Sequence, residues 1–116
     1  VGDTEVTVDF GIPRRKMSDS AFHEILCVLR ELVTNAVRHG KARHIAITGT
    51  LTGDALSITV ADDGCGFDPE RRPGSAEGHF GLLGVSERLD RLNAALTVDS
   101  APGRGATFTF TMRTDT

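Results

Sequence analysis

The stretch Leu29-Arg30-Glu31-Leu32-Val33-Thr34-Asn35-Ala36-Val37-Arg38-His39 decides the fold. Apolar residues recur around it at three- and four-residue spacing, which predicts a helix with a buried stripe. The stripe consists of Leu26, Leu29, Val33, Ala36 and Val37. Glu31 and Asn35 are one turn apart and share a face. A carboxylate and a carboxamide beside an apolar stripe indicate a binding site, for which we predict a magnesium–nucleotide complex.

The predicted helix spans about 19–39 and is the longest element. Ser18, Asp19 or Ser20 is suited to cap its first turn, since short polar side chains accept bonds from free amides there. Gly40 is suited to its C-terminal exit.

The bulk properties are those of one globular domain. The chain has 116 residues, 39% hydrophobic and 25% charged. Its net charge of −3 argues against a nucleic-acid partner. There is no apolar run of membrane-spanning length, so we expect no membrane contact from this domain. Two cysteines, Cys27 and Cys65, are too few for a disulfide scaffold and indicate a reducing, cytoplasmic setting.

Alternating and β-branched segments predict five strands. An edge strand at 5–10 precedes the helix, and a hairpin at 45–51 and 56–60 follows it. A second helix at about 82–93 leads to a last hairpin, at 95–98 and 107–112. This order predicts an α+β two-layer sandwich, a mixed sheet covered on one face by helices.

Residues 61–80 form a long segment between the hairpin and the second helix. It opens with Asp62-Asp63-Gly64-Cys65-Gly66 and is rich in proline and glycine. A loop of this length inside a small domain is usually functional, and we predict a lid.

Five features predict one chemistry. The amide oxygen of Asn35 suits Mg²⁺, which prefers oxygen ligands, and Glu31 can orient or deprotonate a nucleophile near the γ-phosphate. Asp62 offers an acceptor for the exocyclic amine of adenine. Gly64 and Gly66 allow the backbone to approach the base closely. The segment Gly78-His79-Phe80-Gly81-Leu82 runs into a helix start, where free amides bind phosphate.

These motifs resemble the Bergerat-type (GHKL) ATP-binding domain shared by gyrase, the large heat-shock chaperone, mismatch-repair ATPases and sensor histidine kinases. The segment 31–39 resembles the asparagine box, 62–66 the first glycine box D-x-G-x-G, and 78–88 the second glycine box with its helix. The nitrate-sensor type of histidine kinase is most similar. No G-x-x-x-x-G-K-[ST] loop is present, which excludes the common P-loop solution.

The resemblance implies an ATP-binding catalytic domain that presents Mg-ATP for phosphoryl transfer to a histidine. It implies magnesium on Asn35, adenine on Asp62, a catalytic Glu31 and a lid at about 67–80. The implied ATP contacts are Asn35, Arg38, His39, Asp62, Gly64, Gly66, Phe67, Gly78, His79, Phe80, Gly81 and Leu82. His79 is expected to be a lid residue without a chemical role of its own.

The sequence departs from the family's pattern in two ways. Gly103-Arg104-Gly105 is followed by Ala106 and only then by Thr107, so no nucleotide role is carried over to that threonine. The helices that bear a phosphoacceptor histidine are missing, and the chain starts at Val1 without Met. We therefore expect residues 1–116 to be one cytoplasmic domain of a longer, homodimeric kinase, with membrane anchoring of the full-length protein left open by the sequence. Its expected partners are its own dimerisation helices and a response regulator.

Two other functions remain open from the sequence. Residues 31–40 of this chain also resemble a segment of the anti-sigma-factor-type ATP-binding serine kinases, which is one of these functions. A nucleotide-free pseudokinase would show no thermal shift with ATP and Mg²⁺. His23 and Cys27 are one turn apart on the long helix, but no further ligand type converges on them, which makes a metal site there a weak interpretation.

Overall fold

A computed structural model describes residues 4–66 and 82–113, without the side chains of Leu82 and Leu83. The strands are β1 (Glu5–Phe10), β2 (His44–Thr52), β3 (Ala55–Asp62), β4 (Ala95–Ser100) and β5 (Ala106–Arg113). The helices are α1 (Asp19–Arg38) and α2 (Leu82–Arg91), with a short 3-10 helix at Arg14–Lys16. The predicted elements are confirmed, with ends that differ by at most two residues.

The five strands form one mixed sheet in the order β1-β2-β3-β5-β4. The edge strand β1 runs parallel to β2, with Val6 opposite Ile45, and the other neighbours are antiparallel. A parallel pair needs a crossover connection, which α1 supplies. Both predicted hairpins are present, and the α+β sandwich is confirmed.

Burial alternates along the central strands, so the sheet has one covered face and one open face. The covered face and both helices share a single core. Its most buried large side chains are Ile25, Val28, Leu32, Ile45, Leu56, Ile58, Val60, Val85, Leu89 and Phe110. Threonine, serine and alanine dominate the open face, where Thr59 and Thr109 are opposite each other.

The predicted buried stripe of α1 is wrong at Leu26 and only partly buried at three of its other positions. Ala36 is buried as expected, but Leu26 is 48% exposed, and Leu29, Val33 and Val37 are only partly buried. The buried stripe consists of Ala21, Ile25, Val28, Leu32 and Ala36. Two adjacent stripes of α1 are apolar, and helical spacing alone does not say which of the two faces the sheet.

Local bonds define the ends of α1. The Ser18 side chain accepts a hydrogen bond from the backbone N–H of Ala21 (3.1 Å), so Ser18 is the N-cap. At the other end, the helix stops at Arg38 and the chain leaves through Gly40. The left-handed conformation belongs to Lys41 (φ 53°), whereas Gly40 is needed because a Cβ there would lie 2.9 Å from the carbonyl oxygen of Ala36.

The two helices are joined by an ion-pair cluster. Glu24 of α1 accepts hydrogen bonds from Arg88 (2.6 Å) and Arg91 (3.1 Å) of α2. The hydrogen bond from Arg88 is the main cause of a lowered pKa of Glu24. Neither helix among the described residues is long and apolar enough to span a membrane.

The fold predicts unequal costs for two Val→Ala substitutions in strands. Val60 is 1% exposed and Val8 is 63% exposed. Val60→Ala removes buried methyl groups and should lower the free energy of unfolding by about 2 kcal/mol, whereas Val8→Ala should cost less than about 0.5 kcal/mol. Urea denaturation of both variants checks this, and equal losses would contradict the observed burial.

Candidate functional site

A cavity lies between the C-terminal half of α1 and the adjoining ends of β3 and β5, and its empty volume, which includes some open solvent, is about 340 Å³. Two polar side chains, Asn35 and Asp62, line it. Its other lining residues are Leu32, Ala36, Gly40, Gly66, Ala106 and Phe108. The predicted magnesium ligand and the predicted adenine acceptor therefore share one mostly apolar cavity, the kind of site that binds small molecules.

Asn35 is positioned by the last turn of α1. Its backbone carbonyl accepts from the backbone N–H groups of His39 (2.8 Å) and Gly40 (3.1 Å). Its side-chain Nδ2 is buried and has no hydrogen-bond partner within the described part of the chain. An unsatisfied buried N–H donor costs about 1–3 kcal/mol, so this end of the carboxamide adds no hydrogen bond to the described part of the fold.

Asp62 is the last residue of β3 and is half-buried. Its Oδ1 accepts a hydrogen bond from the backbone N–H of Gly64 (2.8 Å). Burial raises the pKa of Asp62, since desolvation disfavours the charged form, and the neighbouring charge of Asp63 adds to this. Backbone hydrogen bonds from Gly64 and Ala106 partly oppose the rise in pKa. The side chain is a directed, partly desolvated acceptor at the cavity wall.

Gly64 and Gly66 are glycines because backbone segments meet there. A Cβ on Gly64 would lie 2.5 Å from the carbonyl oxygen of Gly40. Gly66 has a φ of +66°, and a Cβ there would lie 2.6 Å from the carbonyl oxygen of Gly105. The sequence suggested close approach to a base, whereas the structure shows close approach to protein backbone.

Gly105 was missed as a site residue by the sequence reasoning. Its φ is +74°, and a Cβ there would collide with the backbone carbonyl of Asp62. The neighbouring Gly103 donates its N–H to the carbonyl of Cys65 (2.5 Å). Gly103-Arg104-Gly105 predicted a turn, but nothing in the spacing predicted that this turn would support the Asp62 loop.

The structural role of Asp63 was likewise not predicted from the sequence. Its carboxylate accepts from the backbone N–H groups of Arg43 (2.8 Å) and His44 (2.9 Å), and its Oδ2 lies 2.9 Å from Nδ1 of His44. These hydrogen bonds lower the pKa of Asp63 to about 2, and the largest contribution is the one from the backbone N–H of His44. The carboxylate is therefore charged and engaged at neutral pH.

The structure separates Glu31 from Asn35, although both are on α1. Glu31 lines a second cleft, with Gly84, Val85 and Arg88 of α2. Arg38 and His39 are exposed at the helix end. The His39 carbonyl accepts a weak bond from the Cys65 thiol (3.5 Å).

The remaining predicted contacts lie outside the described residues. They are Phe67, Gly78, His79, Phe80 and Gly81, together with the lid at about 67–80. Leu82 is the first residue of α2, but its side chain is likewise outside the described part.

A mixed sheet with helices on one face, and a helix-borne asparagine sharing a cavity with an aspartate of a D-x-G-x-G loop, defines an ATP-binding domain that lacks a P-loop. The family profile of the histidine kinase-, DNA gyrase B- and HSP90-like ATPases matches residues 23–116. The chain belongs to this family, and ATP is the nucleotide that the family binds.

The similar curated proteins are sensor kinases. A sensor-like histidine kinase of Chloroflexus aurantiacus is 32% identical over 93% of this chain and 19% of its own length. DegS of Bacillus subtilis is 36% identical over 66% of this chain and 20% of its own length. The nitrate/nitrite sensor NarQ of Escherichia coli is 29% identical over 94% of this chain and 19% of its own length. The chain thus spans about a fifth of these relatives.

Solved structures confirm the fold. The blue-light-activated histidine kinase of Erythrobacter litoralis matches with a TM-score of 0.81 at 21% identity, over 97% of this chain and 36% of that chain. The histidine kinase AdeS of Acinetobacter baumannii matches with a TM-score of 0.74 at 18% identity, over 98% of this chain and 56% of that chain. The reported relatives give no support to the anti-sigma-factor alternative.

The site predicts that Gly105 tolerates no side chain. Gly105→Ala combines a strained φ with a collision at the Asp62 carbonyl, so it should lower the free energy of unfolding by more than about 2 kcal/mol. Gly53→Ala is the matched control, because Gly53 has a φ of +60° and open space around it. That control should cost about 1 kcal/mol, which is the strain alone. Thermal unfolding of both variants measures the difference, and equal shifts would contradict the contact.

Proposed function

We propose that this chain is the catalytic, ATP-binding domain of a two-component sensor histidine kinase. It would present Mg-ATP so that the γ-phosphoryl group passes to a histidine on a separate dimerisation domain. The observation that carries the proposal is the shared cavity, which the polar side chains of Asn35 and Asp62 both line. The buried Nδ2 of Asn35 has no hydrogen-bond partner among the residues that the structure describes.

The cavity suits an adenine ring. Asp62 would accept a hydrogen bond from the exocyclic amine of the base, while Leu32, Ala36 and Phe108 supply apolar surface. A carboxylate acceptor discriminates against a base that offers a carbonyl at the same position, because two acceptors would then face each other.

Asn35 fits a magnesium ion as one of several oxygen ligands. An amide oxygen suits a hard cation that completes its octahedron with phosphates and water. When bound, the ion would neutralise charge that develops on the phosphate oxygens. Asn35 would fix the ion's place relative to the base held at Asp62.

The polar groups outside the shared cavity have proposed roles in transfer. Glu31, in the cleft beside Gly84 and Arg88, would accept or orient the proton of the attacking imidazole. Arg38 and His39, at the exposed helix end, would contact phosphate oxygens. Contacts from Phe67, and from the segment 78–82 at the start of α2, complete the proposed site.

The partners follow from the proposed chemistry. The domain would act on the dimerisation helices of its own polypeptide, which would be a homodimer, and phosphate would pass on to a response regulator. We place the domain in the cytoplasm, where ATP is available, whether or not the full-length protein is membrane-anchored. No nucleic acid is proposed as a partner. Transfer from γ-labelled ATP to a histidine of the full-length polypeptide tests the reaction itself.

Substitution of Asp62 tests the adenine site. Asp62→Asn replaces one acceptor oxygen by a donor and should weaken ATP binding by about 1.5–3 kcal/mol, roughly 10- to 100-fold. Asp54→Asn, in the exposed turn between β2 and β3, is the matched control and should leave the affinity unchanged. Isothermal calorimetry with each variant gives the result. Wild-type affinity in Asp62→Asn would refute the adenine role.

Substitution of Asn35 tests the magnesium site. In the wild type, ATP affinity should rise when Mg²⁺ replaces a chelator. In Asn35→Ala this dependence on the metal should vanish, because the protein's amide oxygen is gone. Thr34→Ala, on the same turn of α1, is the control and should keep the metal dependence. Calorimetry with and without Mg²⁺ distinguishes the two, and a metal effect that persists in Asn35→Ala would exclude this ligand.

A further inference from the structure

The carboxylate of Asp63 joins two segments that meet beside the cavity. One segment is 40–44, which leads from α1 into the first residue of β2. The other is 62–66, which begins at the last residue of β3. The Asp63 carboxylate accepts hydrogen bonds from the backbone N–H groups of Arg43 and His44. In addition, the backbone N–H of Asp63 donates a hydrogen bond to the His44 carbonyl (3.2 Å). Side chain and backbone of one residue therefore hold the same two-residue stretch.

A further contact between the two segments lies on the cavity side. The N–H of Cys65 donates to the carbonyl of Gly40 (2.8 Å), against which Gly64 packs without room for a Cβ. Gly40 in turn donates its N–H to the Asn35 carbonyl (3.1 Å). These hydrogen bonds, together with the short backbone stretches between them, connect Asp63 to the residue proposed to hold magnesium.

We propose that Asp63 is a positioning residue that sets the separation of Asp62 and Asn35 across the nucleotide cavity. The inference rests on the proposed function and deepens it. Asp62 and Asp63 are adjacent in the motif but have different roles. Asp62 lines the cavity, and Asp63 fixes the segment 40–44 against the loop that carries Asp62.

The ion pair between Asp63 and His44 does not account for this arrangement. His44 and Asp63 are 69% and 48% exposed at their side chains, and Glu5 lies 3.6 Å from the other ring nitrogen of His44. Exposed pairs contribute little, since water and salt screen them. Hydrogen bonds from backbone amides to a carboxylate are short and charge-assisted, and they fix the chain directly.

The sign of the effect separates positioning from electrostatics. Removal of a negative charge next to the cavity should, by charge alone, improve the binding of anionic ATP. Loss of positioning should weaken it, because a displaced acceptor no longer meets the base. Asp63→Asn removes the charge but keeps one oxygen for the amides of 43 and 44, whereas Asp63→Ala removes both.

The experiment measures ATP and GTP affinity of the wild type, Asp63→Asn, Asp63→Ala and the control Asp54→Ala by calorimetry, well below each thermal midpoint. We expect Asp63→Ala to bind ATP about tenfold more weakly, and its preference for ATP over GTP to fall. Asp63→Asn should stay within about threefold of the wild type, and Asp54→Ala should be unchanged. Wild-type affinity and specificity in Asp63→Ala, even with a lowered midpoint, would leave only a structural role and overturn the proposal.

Amide hydrogen exchange keeps the proposal testable without nucleotide. In Asp63→Ala the amide protons of Arg43 and His44 should exchange faster, and so should that of Cys65, which bonds across to Gly40. Unchanged exchange at Cys65 would overturn the coupling of the two segments. A wild type that binds no ATP would refute the proposed function, while the exchange result would still decide whether Asp63 holds these segments together.

Discussion

The site depends on backbone segments that pack so closely that no side chain fits between them. Gly64 lies against the carbonyl of Gly40, Gly66 against the backbone of Gly105, and Gly105 against the backbone of Asp62. Glycine is required because even a Cβ would push these segments apart. Since the end of α1, the end of β3 and the start of β5 meet here, the same contacts that close the fold also bring Asn35 and Asp62 to one cavity.

This arrangement places the two polar groups on independent elements. Asn35 belongs to the last turns of a helix that the core holds through Leu32 and Ala36, while Asp62 ends a central strand with a neighbour on each side. Rigid elements hold site residues more accurately than loops do. The residues after Asp62 contribute close backbone contacts, which Gly64 makes with Gly40 and Gly66 makes with Gly105.

Much of the fold could be predicted from the sequence because its signals are local. Alternation predicts the five strands, and the capping residues predict the start of α1, with Ser18 one of three candidates for the N-cap. The face of α1 could not be predicted, because Leu26 and Ile25 are equally apolar and only the packed sheet decides which is covered. The convergence of Asn35 and Asp62 was predicted by motif order, but the support from Gly105 was not, since a contact between distant backbone segments leaves no periodic signal.

The strand β1 lies at the edge of the sheet, and none of the described strands pairs with its outer side. It carries the exposed acidic residues Glu5 and Asp9 next to the exposed Val6 and Val8. An unpaired strand of this kind invites edge-to-edge pairing with another molecule, and like charges oppose it. Self-association through this border is therefore restrained by electrostatic repulsion rather than by steric cover, and acidification or high salt would relax that restraint.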